Sequence, residues 1–449
     1  MAAVSSDRGQ WSSRTGFILA AAGSAIGLGN IWRFPYVAGE NGGAAFVFLY
    51  AIFVFVIGLP YMFAELALGR SVQRNPVGAV AAIDKRWKWV GMLGVLTAVG
   101  ILSFYGVIAG WTLGYIYKMA VGHVSGFGEF IASPWPVLAL FAVFMVITAS
   151  IVHGGVSGGI EKWSKILMPI LFVLLIGLIV YANTLEGASK GLSFYLKPDF
   201  SKVSGSTMLA ALGQAFFSLS LGMGLMITYG SYAPRDENLI ASGISIGIFD
   251  TMIAIFAGLI IFPALFSMGH APDEGATLVF VVLPDLFMQM PGGLLVGCLF
   301  FVLLTVAALT STISLLEVQT SYMVDEHNSS RGKVVWGAAL VTFLVGVPSA
   351  LSQGASEWLG NVGWIPERLC APDFLSQMSF VFGDFSLAFG ALMLSIFVGW
   401  VWGADRASDE LETGAPAFAR TRKFWCFMIR WFIPAVVFVI LLNLFGLFG

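Results

Sequence analysis

The chain reads Gly23-Ser-Ala-Ile-Gly-Leu-Gly-Asn-Ile-Trp-Arg-Phe-Pro-Tyr36 inside its first apolar stretch long enough to cross a bilayer. An uninterrupted helix in lipid would avoid such a run. Gly23, Gly27 and Gly29 weaken helical backbone, and Asn30 and Arg33 are costly in hydrocarbon. Irregular backbone at membrane depth survives only where it lines a cavity enclosed by protein. Its freed carbonyls and amides can there hold a small polar ligand and its ions, so the stretch points to a transporter binding site.

Composition agrees. Of 449 residues, 58% are hydrophobic and 11% charged, against about 25% charged in soluble domains. This implies an all-α membrane protein whose partner is the lipid bilayer. The first ten residues are polar and the first apolar run is long enough to span, so no cleavable signal peptide is expected. A net charge of −2 argues against a nucleic-acid partner, and nothing implies an obligate protein partner. Cys298, Cys370 and Cys426 are odd in number and scattered, which argues against a disulfide framework or a metal cluster. No cofactor is expected.

Apolar stretches separated by polar or Gly/Pro-rich breaks suggest eleven spans: 15–38, 43–69, 89–122, 135–152, 164–184, 208–232, 240–268, 292–324, 334–350, 375–403 and 424–448. With the N-terminus inside, sixteen Lys and Arg fall on inner segments and six on outer ones. The positive-inside rule then places the N-terminus in the cytoplasm. Eleven crossings put the C-terminus outside, in a multi-pass protein of the plasma (bacterial inner) membrane. In the outer loop 269–291, Leu278–Leu283 is too short to span and ends at Pro284; it reads as an extracellular cap.

A second interruption, Ser218-Leu-Ser-Leu-Gly-Met-Gly224, sits in span 6. Spans 1 and 6 each open a five-helix set, over 15–184 and 208–403, within a single transporter domain 1–449; 424–448 is then a peripheral helix. Matching breaks in two halves are the best sequence pointer to a transporter's central site, and an odd number per half makes the repeat inverted. Each break leaves unpaired N–H groups at one helix end and unpaired C=O groups at the other. The first suits a carboxylate and the second a hard cation. Such a site fits a zwitterion beside an alkali cation. The plainer view, that the glycines only let helices pack closely, explains neither Asn30 and Arg33 nor the matched position of the second break.

Several stretches now become specific: Trp11…Arg14, Gly27-Leu-Gly-Asn-Ile-Trp-Arg-Phe-Pro with Glu40-Asn-Gly-Gly, Trp111-Thr-Leu-Gly, Gly159-Ile-Glu-Lys, Gly213-Gln…Ser220-Leu-Gly and Leu309-Thr-Ser-Thr. Together they resemble the neurotransmitter:sodium symporter family, which has the LeuT fold, over residues 8 to about 405. The eleven-span count, Met223 and the Gly159…Pro169 spacing resemble its bacterial branch that carries hydrophobic amino acids.

The resemblance implies two sodium sites. The first would use the Ala25 carbonyl, the Asn30 side-chain oxygen, Ser218, Asp250 and the substrate carboxylate. The second would use carbonyls of Gly23, Ile26 and Ala307 with the hydroxyls of Thr310 and Ser311. All are hard oxygen donors, as such a cation requires; for the two hydroxyls, backbone capping within a helix is the competing role. Chloride-dependent relatives carry Asn where this chain has Asp250. In the corresponding chloride region of Tyr50, Gln214, Ser218 and Asp250, that carboxylate would supply the charge otherwise supplied by chloride. Uptake is expected to be chloride-independent, with proton antiport on Asp250 as a further option.

The substrate carboxylate would meet Gly27–Gly29, with Leu28 between them, and the Tyr105 hydroxyl. The ammonium would meet carbonyls near Ala25, Phe217 and Ser220. The side chain would lie among Ile101, Tyr105, Phe217, Met223, Ser311 and Leu315, a pocket with no charge, which favours neutral hydrophobic and aromatic amino acids. Arg33 would close the outer path. The family's acidic partner in span 10 aligns with Ser379, leaving Asp373 and Asp384 as the nearest acids. Arg8 with Asp325, aided by Trp11 and Tyr232, would form the inner gate; membrane-interface anchoring is the plainer role for Trp11. Gly159 and Pro169 would let span 5 unwind beside the second sodium site, or would merely kink it. A membrane enzyme would need clustered His, Asp or Glu within the spans. A channel could line its pore with the same sodium ligands, and a non-transporting amino-acid sensor would bind without accumulating.

Overall fold

The computed structural model describes residues 9–124, 126–270, 279–327 and 329–447. Among the described residues, nine helices are long and apolar enough to cross a membrane: Ala44–Val72, Lys85–Ala120, Pro134–His153, Val156–Asn183, Leu239–Ser267, Gly293–His327, Arg331–Leu351, Phe374–Gly414 and Arg422–Leu444. Arg14–Ala25 and Gly29–Glu40 add a tenth crossing bent by 53° at its break. Gly205–Ser218 and Leu225–Ser231, parted by six residues, occupy the sixth apolar stretch and are numbered with these crossings. These crossings are numbered spans 1 to 11 in chain order.

Side-chain caps start several of these helices. Ser13 accepts from the Gly16 N–H at the head of span 1, and Ser204 and Thr207 form a capping box at the head of span 6. Burial grades the bundle. In its most apolar window span 3 is 78% buried and span 5 only 33%, so span 3 is a central post and span 5 a peripheral element. Trp135, Val173, Val180 and Leu344 are among the exposed apolar side chains, as expected of a lipid-facing surface.

Both interruptions exist. Span 1 leaves helical geometry at Ile26 and Gly27 and re-enters through a π-helical turn, Gly29–Arg33. Span 6 ends its first half at Ser218 and restarts at Leu225. Between them Ser220 (φ 54), Gly222 (φ 85) and Gly224 (φ 76) take left-handed backbone, which glycine adopts without strain. Gly222 also needs its missing side chain, because a Cβ there would lie 2.5 Å from the Leu387 carbonyl of span 10.

Two boundaries differ from expectation. Span 5 starts at Val156, because the π-helical segment Val156–Glu161 already continues into the membrane helix. Span 10 runs past Gly403 (φ 94) into an acidic helix, Ala404–Gly414. Its charges read as a loop in sequence, but they are paired: Glu410 with the fully buried Arg70, and Asp405 with Arg430. Among its described residues, the loop 269–291 carries one eight-residue helix, Val282–Gln289. Next to it Phe280 packs on Trp32, Trp111, Tyr115 and Phe127, while residues 271–278, including Leu278, lie outside the described residues.

The second half of span 6 is clasped by span 2. A Cβ on Gly230 would lie 2.5 Å from the Leu66 carbonyl and 2.9 Å from its Cα. Gly230→Leu should therefore cost at least about 1–3 kcal/mol, seen as a lower thermal unfolding midpoint in detergent. An unchanged midpoint would contradict this packing.

Candidate functional site

The two breaks face each other across a small cavity of about 50 Å3. Its walls come from spans 1, 3, 6 and 8: Ala25, Gly27, Gly29, Ile101, Tyr105, Phe217, Ser218, Ser220, Met223, Ser311 and Leu315, with Ser24, Phe104 and Leu225. Eleven of the twelve ligand residues named from sequence thus line one space. The twelfth, Leu28, lines the adjoining outer chamber instead. Its backbone N–H still reaches inward and donates to the Tyr105 hydroxyl at 2.9 Å. Sequence reasoning missed Phe104 and Leu225; Phe104 lies three residues on from Ile101 and so shares its face of span 3, which the helical spacing could have shown.

At one end of the cavity, carbonyls and hydroxyls gather. The Thr310 hydroxyl donates to the Ile26 carbonyl at 3.2 Å and the Ala307 carbonyl at 2.9 Å; the Ser311 hydroxyl donates to Ile26 at 3.1 Å. Gly23 lies against the same threonine, with room for a Cβ only 3.2 Å from Cβ of Thr310. Ile26, Ala307, Thr310 and Ser311 of spans 1 and 8 therefore present an oxygen cluster without a titratable group, with Gly23 packed against it. Ser24 bonds across to Ser314 at 2.8 Å and adds a third tie between these spans.

The second cluster surrounds Asp250, which is fully buried in span 7. Its carboxylate accepts from the Asn30 amide at 2.7 Å, from Ser218 at 2.8 and 2.9 Å, and from the Tyr50 hydroxyl at 3.0 Å. Every partner is neutral. Asn30 presents its NH2 group to the carboxylate while its oxygen accepts from the Gly27 N–H at 3.1 Å; a carboxylate attracts donors, and a turn of the amide would exchange the two faces. Gln214 lies apart from this cluster and donates to the Gly29 carbonyl at 3.2 Å. No group of three or more His, Cys, Asp or Glu placed to hold a metal occurs among the described residues.

Gly29, Phe104, Tyr105 and Phe217 separate this cavity from an adjoining chamber of about 360 Å3. Arg33 lies above this partition, its guanidinium 4.4 Å from the Phe217 ring centroid. The acidic partner that Ser379 could not supply is Asp384, at 3.4 Å. The π-helical segment Ser379–Ser386 carries this residue within span 10. Such a shift in register is not visible in a linear alignment.

On the side of the N-terminus the cavity is closed by aromatic packing and ion pairs. The Trp11 indole donates to the Tyr229 carbonyl at 3.0 Å, and its N–H to the Tyr232 carbonyl at 3.3 Å. Tyr232 donates to Glu317 at 2.6 Å, which pairs with Arg331. Asp325 accepts from the Asn75 N–H and side-chain amide at 2.8 and 3.1 Å; Arg8 lies outside the described residues. Sequence reasoning also missed Glu65 of span 2, although a mid-span carboxylate is a signal in itself. It accepts from the Gly222 N–H at 3.0 Å and so holds the break of span 6.

Comparison with known proteins agrees with this geometry. The sequence matches the Sodium:neurotransmitter symporter family over residues 8–125 and 124–447. It is 39% identical to an uncharacterized sodium-dependent transporter, YhdH, of Bacillus subtilis, over 98% of both chains. It is 26% identical to the human sodium- and chloride-dependent neutral and basic amino acid transporter B(0+), covering 95% of this chain and 76% of that one. The crystal structure of MhsT in complex with L-phenylalanine superposes with a TM-score of 0.87 at 43% identity, covering 97% of this chain and 100% of that one. The architecture is the LeuT fold.

Tyr105→Phe removes the acceptor of the buried Leu28 N–H. Stability should fall by about 1–3 kcal/mol, measurable as earlier thermal unfolding without any ligand. Parent-like unfolding would mean that the hydroxyl does not hold the break.

Proposed function

Since this chain belongs to the sodium:neurotransmitter symporter family, a family of secondary transporters rather than enzymes, we propose that it imports neutral hydrophobic and aromatic L-amino acids with sodium. The observation that carries this reading is the convergence of two helix breaks on one apolar cavity flanked by two oxygen-rich clusters. The first sodium would take the Ala25 carbonyl, the turned Asn30 oxygen, Ser218, Asp250 and the substrate carboxylate. The second would take Gly23, Ile26, Ala307, Thr310 and Ser311. Amides at Gly27–Gly29 and the Tyr105 hydroxyl would hold the carboxylate; carbonyls at Ala25, Phe217 and Ser220 would hold the ammonium. Ile101, Phe104, Met223, Leu225 and Leu315 leave an apolar space without a charge, in which an acidic or basic side chain would be unpaired. The phenylalanine bound by MhsT supports an aromatic ligand.

Positive-inside counting supports an N-terminus in the cytoplasm, with Trp11, Tyr232, Asp325 and Arg8 on the inner side and Arg33 with Asp384 on the outer. The sets 15–184 and 208–403 would be the inverted halves, and 424–448 peripheral. One charge crossing 100 mV releases about 2.3 kcal/mol. Two sodium ions give about 4.6 kcal/mol, enough for more than a thousandfold accumulation at about 1.4 kcal/mol per decade.

The human relative is described as chloride-dependent; this chain should not be. The Asp250 carboxylate lies among Tyr50, Ser218 and Asn30 as a fixed negative charge. Because its partners are all neutral, it needs a compensating cation when sodium leaves. A proton returning on Asp250 is the reading this favours for the second half of the cycle.

Labelled phenylalanine, leucine and tyrosine should bind the purified protein in sodium and not in potassium, while glutamate and lysine should bind in neither. Binding that ignores sodium would overturn the proposal. In vesicles, replacing chloride by gluconate should leave uptake unchanged. Asp250→Asn should lower chloride-free uptake by roughly tenfold or more, the scale set by losing one charge-assisted contact. Equal uptake by variant and parent would remove the role of the carboxylate, and binding without uptake would favour a sensor.

A further inference from the structure

We propose that Glu161 is a positioning residue of the transport cycle: it fastens the first residues of span 1 to span 5 and thereby keeps the cytoplasmic side of the second oxygen cluster shut. The proposal rests on the transport reading above.

The seam between spans 1 and 5 has a deep end and a shallow end. At the deep end, Met168 is fully buried beside Gly23, where a Cβ would lie 3.3 Å from its sulfur and 3.2 Å from Cβ of Thr310. The Met168 thioether of span 5 therefore packs beside Gly23, next to Thr310 of the oxygen cluster. At the shallow end, the Glu161 carboxylate is 1% exposed although it lies beside the exposed Ser12. It accepts from the Ser12 N–H at 2.7 Å, the Ser12 hydroxyl at 2.6 Å, the Ser13 hydroxyl at 2.8 Å and Lys165 at 2.6 Å. These are short, charge-assisted bonds. Gly16 makes room for the carboxylate, since a Cβ there would overlap it.

Two details tie this latch to movement. Ser13 also caps span 1 by accepting from the Gly16 N–H at 3.1 Å, so one residue both starts the helix and ties it down. Glu161 is the last residue of the π-helical segment Val156–Glu161, which follows Gly154 and Gly155 (φ 81). Such a segment is less regular than α-helix and often marks a functional site; rewinding it would carry the carboxylate away from both serines. On the transport reading, an ion leaving the cluster past Met168 would have to part spans 1 and 5, and this carboxylate fastens their seam.

The test uses the full chain with Cys298, Cys370 and Cys426 replaced by alanine and Met168→Cys as reporter, in inside-out vesicles. Alkylation by a membrane-impermeant maleimide is timed in sodium and in potassium. Sodium should slow alkylation of the reporter protein. Adding Glu161→Gln should raise the sodium rate roughly tenfold, toward the potassium rate, as expected for losing a charge-assisted bond. The pair Ser12→Ala and Ser13→Ala removes the two hydroxyl contacts from the other side while leaving the Ser12 N–H and Lys165, and should raise the rate in the same direction by less, while Glu161→Asp should retain part of the protection. A role in folding alone would lower the amount of protein and leave the rate per molecule unchanged. An unchanged sodium rate in both variants, each still binding labelled phenylalanine in sodium, overturns the latch but not the transport reading. A reporter protein that neither binds phenylalanine nor responds to sodium overturns both.

Discussion

The structure depends on one constraint: backbone polar groups in the middle of a bilayer must find partners, and spans 1 and 6 leave theirs open at the same depth. An unpaired N–H or C=O there costs several kcal/mol. The fold meets that cost by turning both gaps toward each other and sealing them behind other helices. Within the protein, Tyr105 supports the Leu28 N–H, Glu65 the Gly222 N–H, and Thr310 and Ser311 the Ile26 carbonyl. The groups that answer the breaks come from spans 2, 3 and 8, so a change in any of these partners is felt at the site.

Two closures follow from the same arrangement. Outward, Arg33 lies over Phe217 and pairs with Asp384 of span 10. On the other side, Trp11, Tyr229 and Tyr232 pack together, with Glu317 and Arg331 behind them. Neither closure is a covalent or wholly buried lock. The outer pair is about a third exposed on each residue, so solvent screening keeps its contribution small.

The sequence showed the parts of this fold that follow from local chemistry. Eleven apolar stretches, two glycine-rich breaks and the charge asymmetry could all be read directly, and so could residues that a family motif places on one helix face. What escaped depended on tertiary proximity. The π-helical turn of span 5 moved its start, and of the two acids that the sequence offered near Ser379 only the folded structure shows that Asp384 meets Arg33. The acidic helix Ala404–Gly414 looked like a loop because its partners Arg70 and Arg430 lie far away in sequence or beyond the next turn. Glu65 and Glu161 were visible as carboxylates, but their partners at Gly222 and Ser12 belong to other spans.

The most direct test of coupled transport is accumulation of labelled phenylalanine in proteoliposomes under an imposed inward sodium gradient. The internal concentration should rise well above the external one, and gramicidin, which collapses the gradient, should return it to equality. Uptake that only equilibrates, or accumulation that persists without sodium, would contradict a site in which the two helix breaks hold the ion and the amino acid together.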